Sequence, residues 1–272
     1  MAPTDFSFST FSKNAFYGEL NARLVDMTDV AAGQRIVDLA CGTGGVTRLI
    51  LERIRDARDS VIIAMDQSAA ALKQAMDDLK DIRDNAVQFV NSRVELVSEA
   101  LKERVDTVIL CNAIHYISDK DSLVTEISKA LKPGGKFAFN TSFYEGGQHP
   151  ESLQFYRKWM FKGARNLRKE FGLSPNKSGK VQSRKHLSPD EYRALVERNG
   201  FTVLKQEIDL VQVPIEGWLD ICGFEDFIAG IMPGVPLDKA SESLKKGVHQ
   251  AFEELNLQFV PRNWLDIVAV RA

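Results

Sequence analysis

Between residues 34 and 141, short runs rich in β-branched residues alternate with stretches in which apolar positions recur at helical spacing. That rhythm is the one expected of a parallel sheet covered on both faces. The runs RIVDLA, VIIAMD, VQFV, RVDTVILC and GKFAFN predict five strands. Between them, Ser68 stands before Ala69-Ala-Ala-Leu72, and Ser118-Asp119 leads into SLVTEISKAL, which stops at Lys132-Pro-Gly-Gly135. These are helix-start and helix-stop signals, so the region predicts a doubly wound core.

The pattern then changes. A helix is predicted over 151–170, followed by the polar stretch GLSPNKSGKVQSRKH, whose Gly, Pro and Ser content predicts a mobile loop. Ser188-Pro-Asp-Glu191 opens a further helix with serine at the cap, proline at the first helical position and glutamate three residues after the serine; Asn199-Gly200 closes it. Two more strands, FTVLKQEIDLVQV and LDIVAVRA, are separated by apolar helical segments over 218–231 and 237–255, with Pro233-Gly-Val-Pro236 between them. There is no internal repeat and no convincing linker, so a single domain over 1–272 is expected. It would comprise an N-terminal helical lid segment (1–33), the core (34–141), and helical insertions with the final strands (142–272).

The composition, 44% hydrophobic and 26% charged over 272 residues, suits one large α/β domain. A formal net charge of -2 supplies no global basic field for nucleic acid or anionic lipid. The start MAPTDFSFST lacks a basic segment followed by an apolar one, and no run approaches the roughly 18 apolar residues of a membrane span. A cytoplasmic protein is the expectation. Cys41, Cys111 and Cys222 lie far apart with no metal-ligand spacing, so no metal and no disulfide framework is expected.

The sharpest chemical signal is Val37-Asp38-Leu39-Ala40-Cys41-Gly42-Thr43-Gly44-Gly45, between a strand and a helix. Glycines there let the backbone turn tightly and approach a ligand closely. A dinucleotide loop wants a third glycine where Thr47 stands, and an acid, Asp38, precedes the turn. The loop therefore favours a ligand without a pyrophosphate. Further on, Asp66 ends VIIAMD, where a carboxylate can accept hydrogen bonds from two vicinal ribose hydroxyls.

These residues resemble the class I S-adenosylmethionine-dependent methyltransferases of the small-molecule type. Asp38-x-Ala40-x-Gly42-x-Gly44 is similar to their first motif, with alanine where the first glycine often stands, and Asp66 to their ribose acid. Asp106-Thr-Val-Ile-Leu-Cys-Asn112-Ala-Ile-His115-Tyr116 is similar to their fourth-strand motif, and Leu131-Lys-Pro-Gly-Gly135 to the turn before strand five. The resemblance covers roughly residues 20–141, and the last elements more loosely. It implies a Rossmann-like, doubly wound, seven-stranded sheet with an antiparallel seventh strand and helical insertions forming a substrate lid. It also implies S-adenosylmethionine as cofactor, leaving as S-adenosylhomocysteine. Asp38 would lie near the methionine amino end, with Ala40, Cys41, Gly42 and Gly44 along the cofactor. Asp66 and Gln67 would stand at the ribose, and Val94 and Asn112 at either side. One departure is Arg93, where the family often places an acid for the adenine amino group; an arginine cannot accept that bond. Adenine would then be read by backbone over 92–94, or by Glu95 if the alignment shifts by two residues.

Methyl transfer is an in-line displacement that asks the protein chiefly to align reactants and exclude water. Where the acceptor must lose a proton, His115 with Tyr116 is the nearest base pair in sequence, and His149 and His186 are weaker candidates. Phe11, Tyr17, Tyr144, Trp159 and Trp218 are the expected walls of a lidded apolar pocket for a small organic substrate accepting methyl on oxygen, nitrogen or activated carbon. Among Arg157, Lys158, Lys162, Arg165, Arg168 and Lys169 the spacing places several on one helical face over 157–169, which suits either an acidic or carrier-bound substrate or, as is usual for such a run, a solvated face. RNA is the less favoured substrate, because the chain is acidic overall and carries no RNA-binding module. A noncatalytic cofactor-binding scaffold and a nucleotide-dependent oxidoreductase remain as readings from other classes.

Overall fold

The computed structural model describes residues 6–54, 59–80, 86–176 and 186–272. Most of the expected mobile loop falls outside the described residues. The order of elements is α1 (Ala15–Thr28), β1 (Arg35–Leu39), α2 (Gly45–Arg53), β2 (Val61–Asp66), α3 (Ala69–Asp78), β3 (Ala86–Asn91), α4 (Val97–Ala100), β4 (Val105–Cys111), α5 (Lys120–Ala130) and β5 (Leu131–Thr141). It continues through α6 (Leu153–Phe171), α7 (Pro189–Arg198), β6 (Phe201–Pro214), α8 (Ile215–Ile221), α9 (Glu225–Ile231), α10 (Leu237–Leu255) and β7 (Phe259–Arg271). The chain divides into two compact units: a sheet unit of 18–147, 183–209 and 264–272, and a helical unit of 1–17, 148–182 and 210–263.

Among the described residues seven strands form one sheet in the order β3-β2-β1-β4-β5-β7-β6. The first five strands pair in parallel, and β7 runs antiparallel to β5, as expected of the seventh strand. Strand residues alternate between two buried layers. Val37, Leu39, Ile63, Met65, Phe137 and Phe139 enter the core beneath α5 and α7, while Ile36, Ile62, Ile109, Ala138 and Val268 join α1 and α2 on the other side. Burying each such side chain contributes about 1.5–3 kcal/mol, so both layers hold the sheet.

Local chemistry sets the element ends. Ser68 Oγ accepts from Ala71 N, and Asp119 accepts from Ser122 N. Ser188 and Glu191 make the reciprocal capping box that their spacing predicts. Helix α6 stops at Gly172 in the left-handed conformation, φ 68°. The expected turn at Lys132-Pro-Gly-Gly135 lies inside β5 as an irregularity in its pairing with β4. A side chain at Gly135 would stand 2.9 Å from the Lys132 carbonyl and 3.1 Å from that of Asp106, so glycine is required there. The segment 218–231 is two helices rather than one, broken around Cys222-Gly223, where Gly223 N bonds back to Asp220 O. β7 begins six residues earlier than the apolar run LDIVAVRA, because Pro261, Arg262 and Asn263 extend the strand without extending its apolar pattern.

The helical unit is organised by α6 and α10. Phe155, Trp159, Gly163 and Leu167 form the buried stripe of α6, and Ala240, Leu244, Gly247, Val248 and Ala251 that of α10. The two backbones touch at their glycines, since a Cβ on Gly247 would lie 2.9 Å from Gly163 N and 3.1 Å from Trp159 O. These obstacles are backbone atoms and cannot swing aside. Replacing Gly247 with alanine is therefore expected to destabilise the protein by about 1–3 kcal/mol, despite alanine's better helix propensity. Chemical denaturation checks it, and a Gly247→Ala protein as stable as the parent would refute the close approach.

Candidate active site

The C-terminal ends of β2, β1 and β4 stand side by side in the sheet unit, and Asp38 is in register with both Ala64 and Ile109. β1 and β4 flank the point where the strand order reverses, the place where open α/β sheets form a crevice for ligands. The chain leaves β1 through a tight turn in which Ala40, Gly42 and Gly44 have positive φ of 58°, 53° and 84°. Gly44 N bonds to Cys41 O at 2.9 Å, and Cys41 N to Met65 O at 3.0 Å, so the turn is tied to itself and to β2. A Cβ on Gly44 would press on Leu79 at 3.0 Å and Ala75 at 3.2 Å, whereas one on Gly42 would point into open space.

Asp66 fixes the turn from the neighbouring strand. Its Oδ2 accepts from Gly42 N at 2.9 Å, and its Oδ1 from Ser68 N at 2.8 Å. Each carboxylate oxygen has a second lone pair, so the group can still accept from a ligand. Asn91 secures the same strand ends, its amide donating to the Asp66 and Gln67 carbonyls at 3.0 Å each; Gln67 itself is exposed.

Asp38 is buried and accepts from Thr47 Oγ1 at 2.6 Å. Burial pushes its carboxyl up to about 7; the Thr47 hydrogen bond opposes the shift and the Asp66 charge adds to it. Among the described residues it has no cationic partner, and an ammonium group beside it would favour the ionised form. Thr47, which occupies the place of a third glycine, thus has a positive task.

At the end of β4, Asn112 is buried with φ 47°. Its N–H donates to the Asn140 backbone carbonyl at 3.1 Å and to Asn140 Oδ1 at 2.8 Å. Asn140 in turn donates to Asn21 Oδ1 at 3.1 Å. His115, on the short turn that follows, is buried with Nδ1 3.0 Å from Thr141 Oγ1. Its ring lies 4.1 Å from that of Tyr116 and 4.4 Å from that of Phe143, so the two expected base residues are neighbours. Beyond β3, Arg93 pairs with Glu95 at 3.0 Å. Burial alone would raise the Glu95 carboxyl, but its hydrogen bond and charge contact with Arg93 hold it below the usual range. Val94 is half-buried beside them.

The residues expected around a substrate are distributed over both units. Tyr144 is buried in the core of the sheet unit. In the helical unit, Phe11 and Tyr17 stand 5.2 Å apart, and Trp159 and Trp218 5.5 Å apart. The basic face of α6 is partly neutralised: Lys158 and Lys162 both bind Glu254, whose carboxyl those hydrogen bonds lower to about 2. A groove of about 510 Å³ between α6 and α10 is lined by Lys162, Arg165, Lys169 and Lys246 together with Glu170, Glu253 and Glu254. Among the described residues no group of three acidic, histidine or cysteine side chains could hold a metal ion. No helix among them is long and apolar enough to cross a membrane.

Asp266 was not apparent from sequence as a polar site. It lies in β7 opposite Asn140, fully buried, and neither carboxylate oxygen has a hydrogen-bond partner among the described residues. Burial pushes the carboxyl up to about 7; Arg23 opposes the shift, while Asp209 and Glu207 add to it. Between the ordinary carboxylate range and about pH 7 the native state thus holds a proton that the unfolded chain releases. Stability should fall as pH rises through that window and level off above it. Replacing Asp266 with asparagine should flatten the fall, measured as urea midpoints from pH 5 to 8. An unchanged slope would show that Asp266 does not titrate there.

Residues 37–137 match the family model described as a methyltransferase domain. A malonyl-[acyl-carrier protein] O-methyltransferase of Acetivibrio thermocellus is 32% identical over 43% of this chain and 40% of its own length. A ubiquinone biosynthesis O-methyltransferase of Pseudomonas fluorescens is 25% identical over 72% of this chain and 76% of its own. Among solved structures, phosphoethanolamine N-methyltransferase 2 of Haemonchus contortus, in complex with phosphomonomethylethanolamine and S-adenosylhomocysteine, shares the fold. Its TM-score is 0.55 at 20% identity, covering 98% of this chain and 56% of that one. The chain spans only 32% to 41% of the length of the first curated relatives it matches.

Proposed function

We propose that this chain, whose residues 37–137 form a class I S-adenosylmethionine-dependent methyltransferase domain, transfers a methyl group to a small organic acceptor in the cytosol. The observation that carries the reading is Asp66 bridging Gly42 N and Ser68 N. It leaves a carboxylate with free lone pairs at the mouth of a left-handed turn, beside a buried Asp38 that has no cationic partner among the described residues.

Those residues fit the cofactor. Asp38 would take the amino group of its methionine end, Asp66 with Gln67 the ribose hydroxyls, and Ala40, Cys41, Gly42 and Gly44 the length between. Val94 would pack on the adenine and Asn112 stand opposite. When bound, the cofactor would supply a methyl group on a sulfonium, whose carbon would bond to an acceptor lone pair as the carbon–sulfur bond breaks and the sulfur leaves as a neutral thioether. The chain's part is to hold that line and keep water out. His115, oriented through Nδ1 by Thr141, with Tyr116 against its ring, is the pair that would take a proton from a hydroxyl or an activated carbon. An amine attacking in its neutral form needs no such base. Phe11, Tyr17, Trp159, Trp218 and Tyr144 are the aromatic residues this reading assigns to the acceptor. A carrier-bound acceptor is the second reading, favoured by Arg165 and Lys169 along the α6–α10 groove.

Calorimetric titration with S-adenosylmethionine, S-adenosylhomocysteine and NAD tests the cofactor. Saturable heats are expected for the first two only, and binding of NAD alone would overturn the assignment. Gly42→Val and Asp66→Ala should each weaken S-adenosylmethionine by about tenfold or more, equivalent to about 1.4 kcal/mol. His115→Ala should lower kcat while leaving cofactor affinity near that of the parent; a parental kcat would reduce His115 to a packing role.

A further inference from the structure

Helix α6 buries Phe155, Trp159, Gly163 and Leu167 along one side. At 3.6 residues per turn, position 161 stands about 180° from the mean direction of Trp159 and Gly163, so Phe161 forms the crest of the outer face. It is 68% exposed, and its ring meets no other aromatic side chain among the described residues. Arg157 and Arg165 stand one turn before and one turn after it, each roughly 6 Å away along the axis, and Arg168 follows a turn later. All three arginines are exposed, and their side chains make no hydrogen bond or ion pair among the described residues. Leu153, 40% exposed, extends the apolar line toward the start of the helix. The one acid within α6 is Glu170, and Lys246 takes it.

A run of charges alone makes a solvated face. What sets this one apart is the phenylalanine at its crest, which in water forgoes the gain of burial, with cations on both sides of it. We propose that the outer face of α6 docks on an anionic lipid bilayer, with Phe161 entering the headgroup layer and Arg157, Arg165 and Arg168 binding lipid phosphates. An interfacial helix has this arrangement, apolar at the centre of its exposed face and basic at the flanks. Guanidinium forks match phosphate oxygens, and the long arginine stems let the charges reach outward while the ring goes in. The whole chain carries a net charge of -2, so the attraction is local to this face and orients the molecule on the surface. An acidic protein is the other occupant such charge would suit. A single convex helix with one apolar side chain at its crest offers a protein no groove, whereas fluid lipid receives it without a matching pocket. The groove beside it, between α6 and α10, mixes Glu170, Glu253 and Glu254 with its bases and is the poorer surface for an anion. A second copy of this chain would set arginines against arginines. The proposal goes beyond methyl transfer and does not rest on it.

Sedimentation of the full chain with lipid vesicles tests the proposal. Vesicles of phosphatidylcholine and phosphatidylglycerol in equal parts are expected to carry the protein down, and vesicles of phosphatidylcholine alone to leave it in solution. Added sodium chloride should release it from the anionic vesicles. Phe161→Ser is expected to weaken binding by about tenfold, and Arg157→Gln and Arg165→Gln by about fivefold each. A parent protein that stays in solution with both kinds of vesicle would overturn the proposal, whatever the variants do. Equal binding to neutral vesicles would overturn it too. So would binding that persists in Phe161→Ser or in the arginine variants, since the docking face would then lie elsewhere or amount to charge attraction alone. Heat released on titration with polyglutamate, without binding to vesicles, would replace the bilayer with an acidic protein. Calorimetry with S-adenosylmethionine on the same samples keeps the two readings apart: cofactor binding equal to the parent's is expected in every variant, and intact cofactor binding without vesicle binding removes the docking face and leaves methyl transfer standing.

Discussion

One carboxylate holds the candidate site in shape. Asp66 accepts from Gly42 N with one oxygen and from Ser68 N with the other, joining the turn after β1 to the start of α3. Hydrogen bonds to a charged acceptor are stronger than neutral ones, and this pair stands where the backbone has left ordinary conformations. Ala40 in particular is held at φ 58°, which for a residue with a Cβ costs about 1–2 kcal/mol. The turn tolerates that cost because Cys41 N, Gly42 N and Gly44 N are all bonded. Asp38, beneath the turn, then has Thr47 as its hydrogen-bond donor, and its proton affinity follows from that enclosure.

The core strands were legible because their residues are apolar on both faces and flanked by caps and glycines, and a buried parallel strand needs little else. The turn from Asp38 to Gly44 was legible for a different reason: close backbone approach demands glycine, and few other sequences meet the demand. What stayed hidden depends on partners distant in the chain. Nothing local to Asn140 announces that it accepts from Asn112 and donates to Asn21. Asp266 was in view, as an acid within LDIVAVRA, but its burial opposite Asn140 follows from a strand pairing that joins positions more than a hundred residues apart. The break at Cys222-Gly223 and the six extra residues of β7 were missed because local apolar periodicity does not register a helix reset or a polar strand start.

Two buried carboxyls, Asp38 and Asp266, are pushed to about the same value, yet in different settings. Asp38 lies under a turn with Thr47 as a donor and Asp66 as a like charge nearby. Asp266 is enclosed between strands, with Arg23 as its opposing charge and Glu207 and Asp209 as repelling neighbours. The two thus reach a similar value through different neighbours. Across the chain, the polar groups that burial leaves unbalanced mark where chemistry is to be sought, while the balanced ones, such as Lys158 and Lys162 on Glu254, serve the surface.

The sheet order carries a consequence for how the molecule is made. β6 neighbours β7 rather than β5, although it precedes β7 in the chain. Until residues 259–271 emerge from the ribosome, β5 has an unpaired edge and β6 has no strand to join. The helical unit is likewise assembled from three separated stretches, 1–17, 148–182 and 210–263, so it too waits for late residues. Such long-range pairing slows folding, and an exposed strand edge invites association with other chains. The nascent protein thus has a defined period of vulnerability, in which β1 to β5 can already form a sheet while its last strand has yet to arrive.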